Sequence, residues 1–66
     1  MIKLNEKYAI NNKSDAVECG WLLPGEEVEV VDIVPIKGKV HNELYLIQCE
    51  KGYRLGVYEE DLEVIV

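Results

Sequence analysis

The last third of the chain constrains the fold most, because strand-like runs alternate there with tight turns. Residues 44–50 read LYLIQCE, a Lys51-Gly52 pair follows, and residues 53–58 read YRLGVY. Three acids at 59–61 then precede the terminal run LEVIV at 62–66. A turn containing Gly can join two strands tightly, and three residues suit a 3₁₀ turn rather than an α-helix. The pattern therefore predicts a hairpin, a 3₁₀ turn and a closing strand.

Two more strands are expected upstream. A first strand is expected near residues 8–10, and it ends at two asparagines. Residues 26–34 form the second expected strand. Within it, Glu27 and Glu29 alternate with Val28 and Val30, which is typical of a half-buried strand. Val31 and Ile33 move the apolar positions to the other face, so we expect a bulge or bend there. Pro35 should end this strand, because proline cannot donate to a sheet.

The connections between these strands differ in length. Residues 11–24 are expected to form a long loop with a little extended structure around residues 16–18, closed by a Pro24-Gly25 turn. Residues 35–43 should form a second loop, whose centre at 36–40 could be a small hairpin tip. The strand at 44–50 is apolar on both faces over its first half, so it should lie centrally in the sheet.

Length and composition indicate one all-β domain spanning residues 1–66. The 66-residue chain is 48% apolar, lacks Phe and is rich in Val, Ile and Leu, a composition that favours strands around an aliphatic core. The predicted core positions lie along the expected strands: Val28, Val30, Ile47, Val57 and Leu62.

The formal net charge of −6, with a single arginine, argues against nucleic-acid binding, which depends on phosphate neutralisation by Lys and Arg. The acids concentrate at 26–29 and 59–63. Such acids commonly only solubilise a surface. The sharper alternative is an acidic face that meets a partner protein with a basic surface.

No apolar run approaches the roughly 20 residues that a membrane span needs, and Lys3, Glu6 and Lys7 interrupt any signal-peptide core. We therefore expect a cytoplasmic protein with no membrane partner. Cys19 and Cys49 lack the Cys-x-x-Cys spacing of a metal or redox motif, and in the cytoplasm both thiols should stay reduced.

Taken together, these elements resemble the Src-homology-3-like small barrel. Residues 20–31, GWLLPGEEVEVV, are similar to the end of that fold's long first loop, its diverging turn and its second strand. Residues 56–65, GVYEEDLEVI, are similar to its fourth strand, 3₁₀ turn and fifth strand. The resemblance implies a five-stranded barrel with a long first loop and a 3₁₀ turn before the last strand. It also implies that Leu22 is a core position, in addition to those named above.

The departures from the family concern its ligand surface. Members that bind proline-rich peptides carry aromatic shelves, but the two shelf tyrosines of the first strand are replaced here by Ile10 and Asn12. The ligand-contacting Trp of the third strand has only Leu44 and Tyr45 as counterparts, and the 3₁₀ turn is acidic. Polyproline recognition needs aromatic grooves, so it should be lost. The chain is more similar to the short bacterial and phage members of this family.

No catalytic, metal or cofactor motif stands out. The single histidine, His41, lies in a polar loop and is expected to be an exposed residue rather than a general base. Ser14 is the only serine, and no nucleophile elbow surrounds it. The acids at 59–61 lack the spacing of a calcium loop, and no zinc ligand set exists. We therefore expect no enzymatic activity, no metal and no cofactor.

The predicted site is a protein-binding surface. If Leu22 is buried, the preceding Trp21 lies on the opposite face, where it either contacts a partner or folds back to cover one end of the barrel. The expected contact residues are Trp21, Tyr58, Glu59, Glu60, Asp61 and Glu63. The predicted role is a small phage or mobile-element protein that modulates a host factor. In its sharpest form, the acids of the protein mimic nucleic acid. The alternative is a structural subunit that self-associates or docks in a larger particle.

Overall fold

The computed structural model describes residues 2–38, 40 and 42–65. The chain forms five strands, one helical turn and one 3₁₀ turn, in the order β1 (Lys7–Ile10), α1 (Asp15–Glu18), β2 (Glu27–Pro35), β3 (Glu43–Cys49), β4 (Arg54–Val57), the 3₁₀ turn (Glu59–Asp61) and β5 (Leu62–Val64). The prediction of an all-β chain with a 3₁₀ turn before the last strand is confirmed.

The five strands form one antiparallel sheet in the order β4-β3-β2-β1-β5. The strand predicted to be central, β3, lies between β2 and β4. Its register with β2 shifts between Val30 and Asp32, so the predicted irregularity is present and leaves Val31 as the extra residue. Within the described residues the edge strands β4 and β5 do not pair, so the sheet is open and closure into a barrel is not confirmed.

The long connection between β1 and β2 differs from its prediction. Residues 15–18 form one helical turn, so the prediction of extended structure around residues 16–18 is wrong. Ser14 explains the difference, because its buried hydroxyl accepts a hydrogen bond from the Ala16 N–H at 3.2 Å and caps the turn. The Cys19 N–H completes the turn by donating to the Asp15 carbonyl at 2.8 Å.

The core lies on one face of the curved sheet. All six predicted core positions are buried: Leu22, Val28, Val30, Ile47, Val57 and Leu62. Ile10, Tyr8, Tyr45 and Cys49 complete the cluster. The aliphatic core expected from the absence of Phe is therefore supplemented by two tyrosines and a thiol.

Two predicted turns depend on glycine. Gly25 has a φ of +84° and Gly52 a φ of +97°, a region that favours glycine because side chains clash there. The Gly25 turn is held to the sheet because its N–H donates to the Ile10 carbonyl at 2.7 Å. These turns set where β2 begins and where β3 reverses into β4.

Some predictions fall on residues outside the described part of the chain. The exposed position predicted for His41 is one, and part of the hairpin tip proposed at 36–40 is another, because residue 39 also lies outside it. The end of the closing strand at Val66 is a third. Among the described residues, none of the helices has the length and apolar character needed to cross a membrane.

Candidate functional site

The residues predicted to bind a partner fall into two groups at opposite ends of β3. Trp21 contacts Tyr53, which follows the hairpin at the Cys49 end of β3. The 3₁₀ turn instead lies near Tyr45, close to the other end of the same strand. Cys49 lies four positions after Tyr45 along the strand, or roughly 13 Å away at 3.3 Å per residue. The single surface expected from the sequence is therefore two surfaces.

Trp21 is exposed, with 55% of its surface accessible. Its ring packs edge-on against Tyr53, with the ring centroids 5.7 Å apart and the planes at 71°. The Tyr53 hydroxyl also donates a 2.6 Å hydrogen bond to the Trp21 carbonyl oxygen. Of the two alternatives for Trp21, the structure shows the exposed one, with the indole supported on one side and open on the other.

The chain around Trp21 turns the indole outward. The N–H groups of Trp21 and Leu22 both donate to the Ala16 carbonyl, at 2.8 and 3.2 Å, which tightens the end of α1. Leu22 then enters the core at 2% exposure, so its neighbours on either side face solvent. Leu23 is 70% exposed, and together with Trp21 and Tyr53 it forms what we term the Trp21 surface.

The acidic turn differs from the prediction at one residue. Asp61 is buried at 8% exposure, and its carboxylate accepts a hydrogen bond from the Tyr58 N–H at 3.0 Å. The Asp61 carboxylate therefore caps its own turn, a local bond that acids readily form, and it is not among the exposed groups of the predicted contact set. Glu59 and Glu60 are exposed, as is Glu63 on β5, and Tyr58 is half-buried.

A small pocket of about 160 Å³ opens between the second loop and the 3₁₀ turn, lined by Val40, Asn42, Glu43, Tyr45 and Glu59. We call it the Tyr45 pocket. Tyr45 itself is only 5% exposed. Burial raises the pKa of its phenol, and the nearby carboxylates of Glu43 and Glu59, together with Tyr8, raise this pKa further. The phenol therefore stays neutral between two acids.

A second, larger groove of about 280 Å³ lies over β1, β2 and β3 and carries several acids, lined by Lys7, Glu27, Val28, Glu29, Val31, Gln48, Cys49 and Glu50. Lys7 forms a 3.4 Å ion pair with Glu27 that is exposed on both sides and contributes little. Across the described residues, no three His, Cys, Asp or Glu side chains are grouped so that they could hold a metal ion.

Sequence reasoning missed the residues that support these surfaces. Tyr53 had no assigned role in the predicted site, but it fixes Trp21 from 32 positions away. Glu43 and Asn42 were assigned to a polar loop, and only the fold brings them beside Tyr45 and Glu59. Alternation along a strand gives the face of a residue, and it carries no signal for such long-range neighbours.

No protein-family model, no curated protein and no solved structure matches this chain. The Trp21 surface, the acidic turn and the Tyr45 pocket are the features of the described chain that bear on its function.

Proposed function

We propose that this chain is a non-catalytic protein-interaction domain of the Src-homology-3-like class. The observation that carries the proposal is Trp21, a largely exposed indole that is held in place by Tyr53. Tryptophan is among the residues most enriched at the energetic centres of protein interfaces. A side chain already held in position also loses less conformational entropy when a partner covers it.

The strand order supports the proposed fold class. A β4-β3-β2-β1-β5 sheet, a long connection after β1 and a 3₁₀ turn between β4 and β5 are what the resemblance implies. The β2 irregularity after Val30 also supports it, because such bulges bend strands where small barrels turn their corners. A barrel of this class would bring the β4 and β5 edges together.

The charge of the chain supports a basic partner. The net charge is −6, and Glu59, Glu60 and Glu63 lie exposed around the 3₁₀ turn and β5. Complementary charge chiefly accelerates association and weakens as salt rises. In the specific form of the proposal, the chain is a cytoplasmic phage or mobile-element protein that modulates a host factor with a basic surface.

Partner capture followed by binding kinetics tests this proposal. Immobilised wild-type chain should retain a specific protein from a bacterial lysate, and Trp21→Ala should dissociate from that protein at least about tenfold faster, as expected for a central aromatic contact. Val64→Ala is the matched control, because it truncates another exposed apolar side chain, one that is 74% exposed on β5. Equal dissociation rates for the two variants would contradict the role assigned to Trp21.

The acidic turn is tested on the same captured protein. Glu59→Lys combined with Glu60→Lys should slow association and reduce its salt dependence, with little change in dissociation. If the association rate changes neither with salt concentration nor with charge reversal, these acids only solubilise the protein. The proposed mimicry of nucleic acid would then be rejected.

A structural subunit remains the second candidate, because the short edge strand β5 leads to exposed apolar residues. Val64 is 74% exposed and Ile65 is 44% exposed beside this unpaired edge. Exposed edges of this kind can pair with a second copy. The mass measured by light scattering separates the candidates, since a monomer favours the modulator and a closed oligomer favours the structural subunit.

A further inference from the structure

The Tyr45 pocket contains polar groups that the fold itself does not use. The Tyr45 hydroxyl forms no hydrogen bond with any described residue, although Tyr45 is only 5% exposed. In the described part of the chain, every fully buried side-chain oxygen or nitrogen has a partner. The Tyr45 hydroxyl must therefore keep some access to solvent, and Tyr45 is one of the residues that line this pocket.

Two further side chains of the pocket have unused acceptors. The Glu43 carboxylate and the Asn42 side-chain amide make no hydrogen bond or ion pair with the residues that the structure describes. Glu59 adds a second carboxylate to the wall. An almost fully buried phenol thus lies between two acids and an amide, with the phenol oxygen, the Asn42 amide oxygen and the Glu43 carboxylate oxygens available to accept.

The size and charge of the pocket limit what it can hold. At about 160 Å³ it is smaller than the ~300–1,000 Å³ of typical small-molecule sites, so it suits the head group of one side chain. The charged residues that line it in the described part of the chain, Glu43 and Glu59, are acids, so the head group should be a cation. Several separated oxygen acceptors match the planar guanidinium, which has five donors, better than the compact ammonium of lysine.

We propose that the Tyr45 pocket binds the guanidinium group of an arginine side chain presented by a partner protein. Glu43 accepts from one edge of the guanidinium, and the Tyr45 hydroxyl and Asn42 accept from the rest. Glu59 contributes negative charge from the 3₁₀ turn. The source of the arginine rests on the proposed protein-binding function, whereas the chemical preference of the pocket does not.

The preference is tested without a partner. Titration of isotope-labelled protein with N-acetyl-arginine methylamide should shift the amide resonances of Asn42, Glu43, Tyr45 and Glu59 with a dissociation constant in the millimolar range. The neutral isostere N-acetyl-citrulline methylamide should cause no comparable shift, and N-acetyl-lysine methylamide should bind more weakly. Equal responses to arginine and citrulline, equal responses to arginine and lysine, or shifts confined to other residues would each overturn the assignment.

Variants connect the response to named groups. Tyr45→Phe removes only a hydroxyl that has no hydrogen-bond partner among the described residues, so the fold should persist. Arginine binding should weaken about threefold in Tyr45→Phe and also in Glu43→Gln. Glu50→Gln is the matched control, because it neutralises an exposed acid at the β3–β4 hairpin and should leave binding unchanged. Wild-type affinity in both Tyr45→Phe and Glu43→Gln would overturn the proposal.

The two proposals fail in distinguishable ways. If Trp21→Ala releases a captured protein at the wild-type rate but arginine still binds the Tyr45 pocket, the Trp21 assignment fails and the pocket assignment stands. If arginine does not bind and Trp21→Ala still weakens the captured complex, the pocket assignment fails alone.

Discussion

The side-chain amide of Asn11 donates a 2.6 Å hydrogen bond to the carbonyl oxygen of Glu60, 49 positions further along the chain. The Asn11 backbone N–H adds a 2.9 Å bond to the Asp61 carbonyl. Asn11 follows β1, so these two bonds attach the 3₁₀ turn to the start of the long loop. The position of the acidic turn is therefore set by a residue far away in sequence.

Loss of this side chain should destabilise the domain. Asn11→Ala removes the bond to Glu60 and also the 2.9 Å bond that the Asn11 side-chain oxygen accepts from the Lys13 N–H. It should lower the free energy of unfolding by about 1–3 kcal/mol, at roughly 0.5–1.5 kcal/mol for each hydrogen bond. That is a large share of the roughly 3–5 kcal/mol available to a domain of this size. Urea unfolding measures the change, with the exposed neighbour in Asn12→Ala as the control. Equal urea midpoints for Asn11→Ala and Asn12→Ala would show that the hydrogen bonds of the Asn11 side chain contribute nothing to stability.

Tyr53 should control the mobility of Trp21. Tyr53→Phe keeps the ring contact but removes the 2.6 Å bond to the Trp21 carbonyl, so the indole should become more mobile and more accessible to quenchers. Because the chain has a single tryptophan, its fluorescence reports on this residue alone. Acrylamide quenching and fluorescence anisotropy should both change, whereas Tyr58→Phe should leave them near wild type. Unchanged anisotropy in Tyr53→Phe would mean that the ring contact alone holds Trp21.

The two thiols should react at very different rates in the folded protein. The structure has both cysteines free, with Cys19 exposed and Cys49 buried at 4% exposure. The Cys49 thiol also lies 3.5 Å from the Tyr53 carbonyl oxygen. A thiol reagent should therefore modify one group per chain quickly and the second only on unfolding, and Cys19→Ser should remove the fast phase. A denatured, non-reduced sample with no titratable thiol would instead show a disulfide.

The strands were predictable because their alternating residues report which face is buried. Val28, Val30, Ile47 and Val57 needed only the period of two to be assigned to the core, and glycine marked the turns. The shift of apolar phase after Val30 likewise predicted the irregularity in β2. These signals are local, so they can be read from a short stretch of sequence without knowledge of the remaining chain.

The functional surfaces were less predictable because they depend on contacts between distant segments. The helical turn at residues 15–18 depends on the Ser14 cap, which competes with extended structure by only a small margin. Asp61 is buried and its carboxylate accepts from the Tyr58 N–H, although the two acids that precede it, Glu59 and Glu60, are exposed. Whether the sheet closes depends on the approach of β4 to β5, which no local pattern encodes.

Stability should fall at alkaline pH through Tyr45. The pKa of its phenol is raised above 10.0, first by burial and then by Glu43 and Glu59. Below about pH 10 both the folded and the unfolded chain keep this proton, so the full stability is present. Above that pH the unfolded chain loses the proton first, and stability declines as the pH rises toward the folded-state pKa.

Comparison of variants isolates this contribution. Tyr45→Phe should show a smaller loss of stability between about pH 9 and pH 11 than wild type, because the titrating group is gone. Tyr58→Phe keeps Tyr45 and should retain the wild-type decline. Urea unfolding at several pH values provides the measurement, and identical pH profiles for wild type and Tyr45→Phe would contradict the role of Tyr45.

The outer edge of β2 beyond Val30 should be protected against pairing with other chains. The Ile36 N–H donates to the Asn42 carbonyl at 3.0 Å, so Ile36 and Asn42 form a hydrogen-bonded pair that continues the pairing of β2 with β3. In antiparallel strands every second residue forms such a pair. The backbone groups of Ile33 and Pro35 therefore point away from β3. The Ile33 N–H is occupied by its neighbour's carboxylate, because Asp32 accepts it at 2.8 Å. Pro35 has no N–H at all.

Restoring these donors should promote self-association. Asp32→Ala combined with Pro35→Val frees the Ile33 N–H and adds a second outward donor, so the edge can accept another strand. The double variant should show a mass that rises with concentration in sedimentation or light scattering, beyond any association of the wild type. Glu50→Ala, which removes an exposed acid elsewhere, separates this effect from the loss of one negative charge. If the double variant and Glu50→Ala give the same mass at every concentration, Asp32 and Pro35 do not protect this edge.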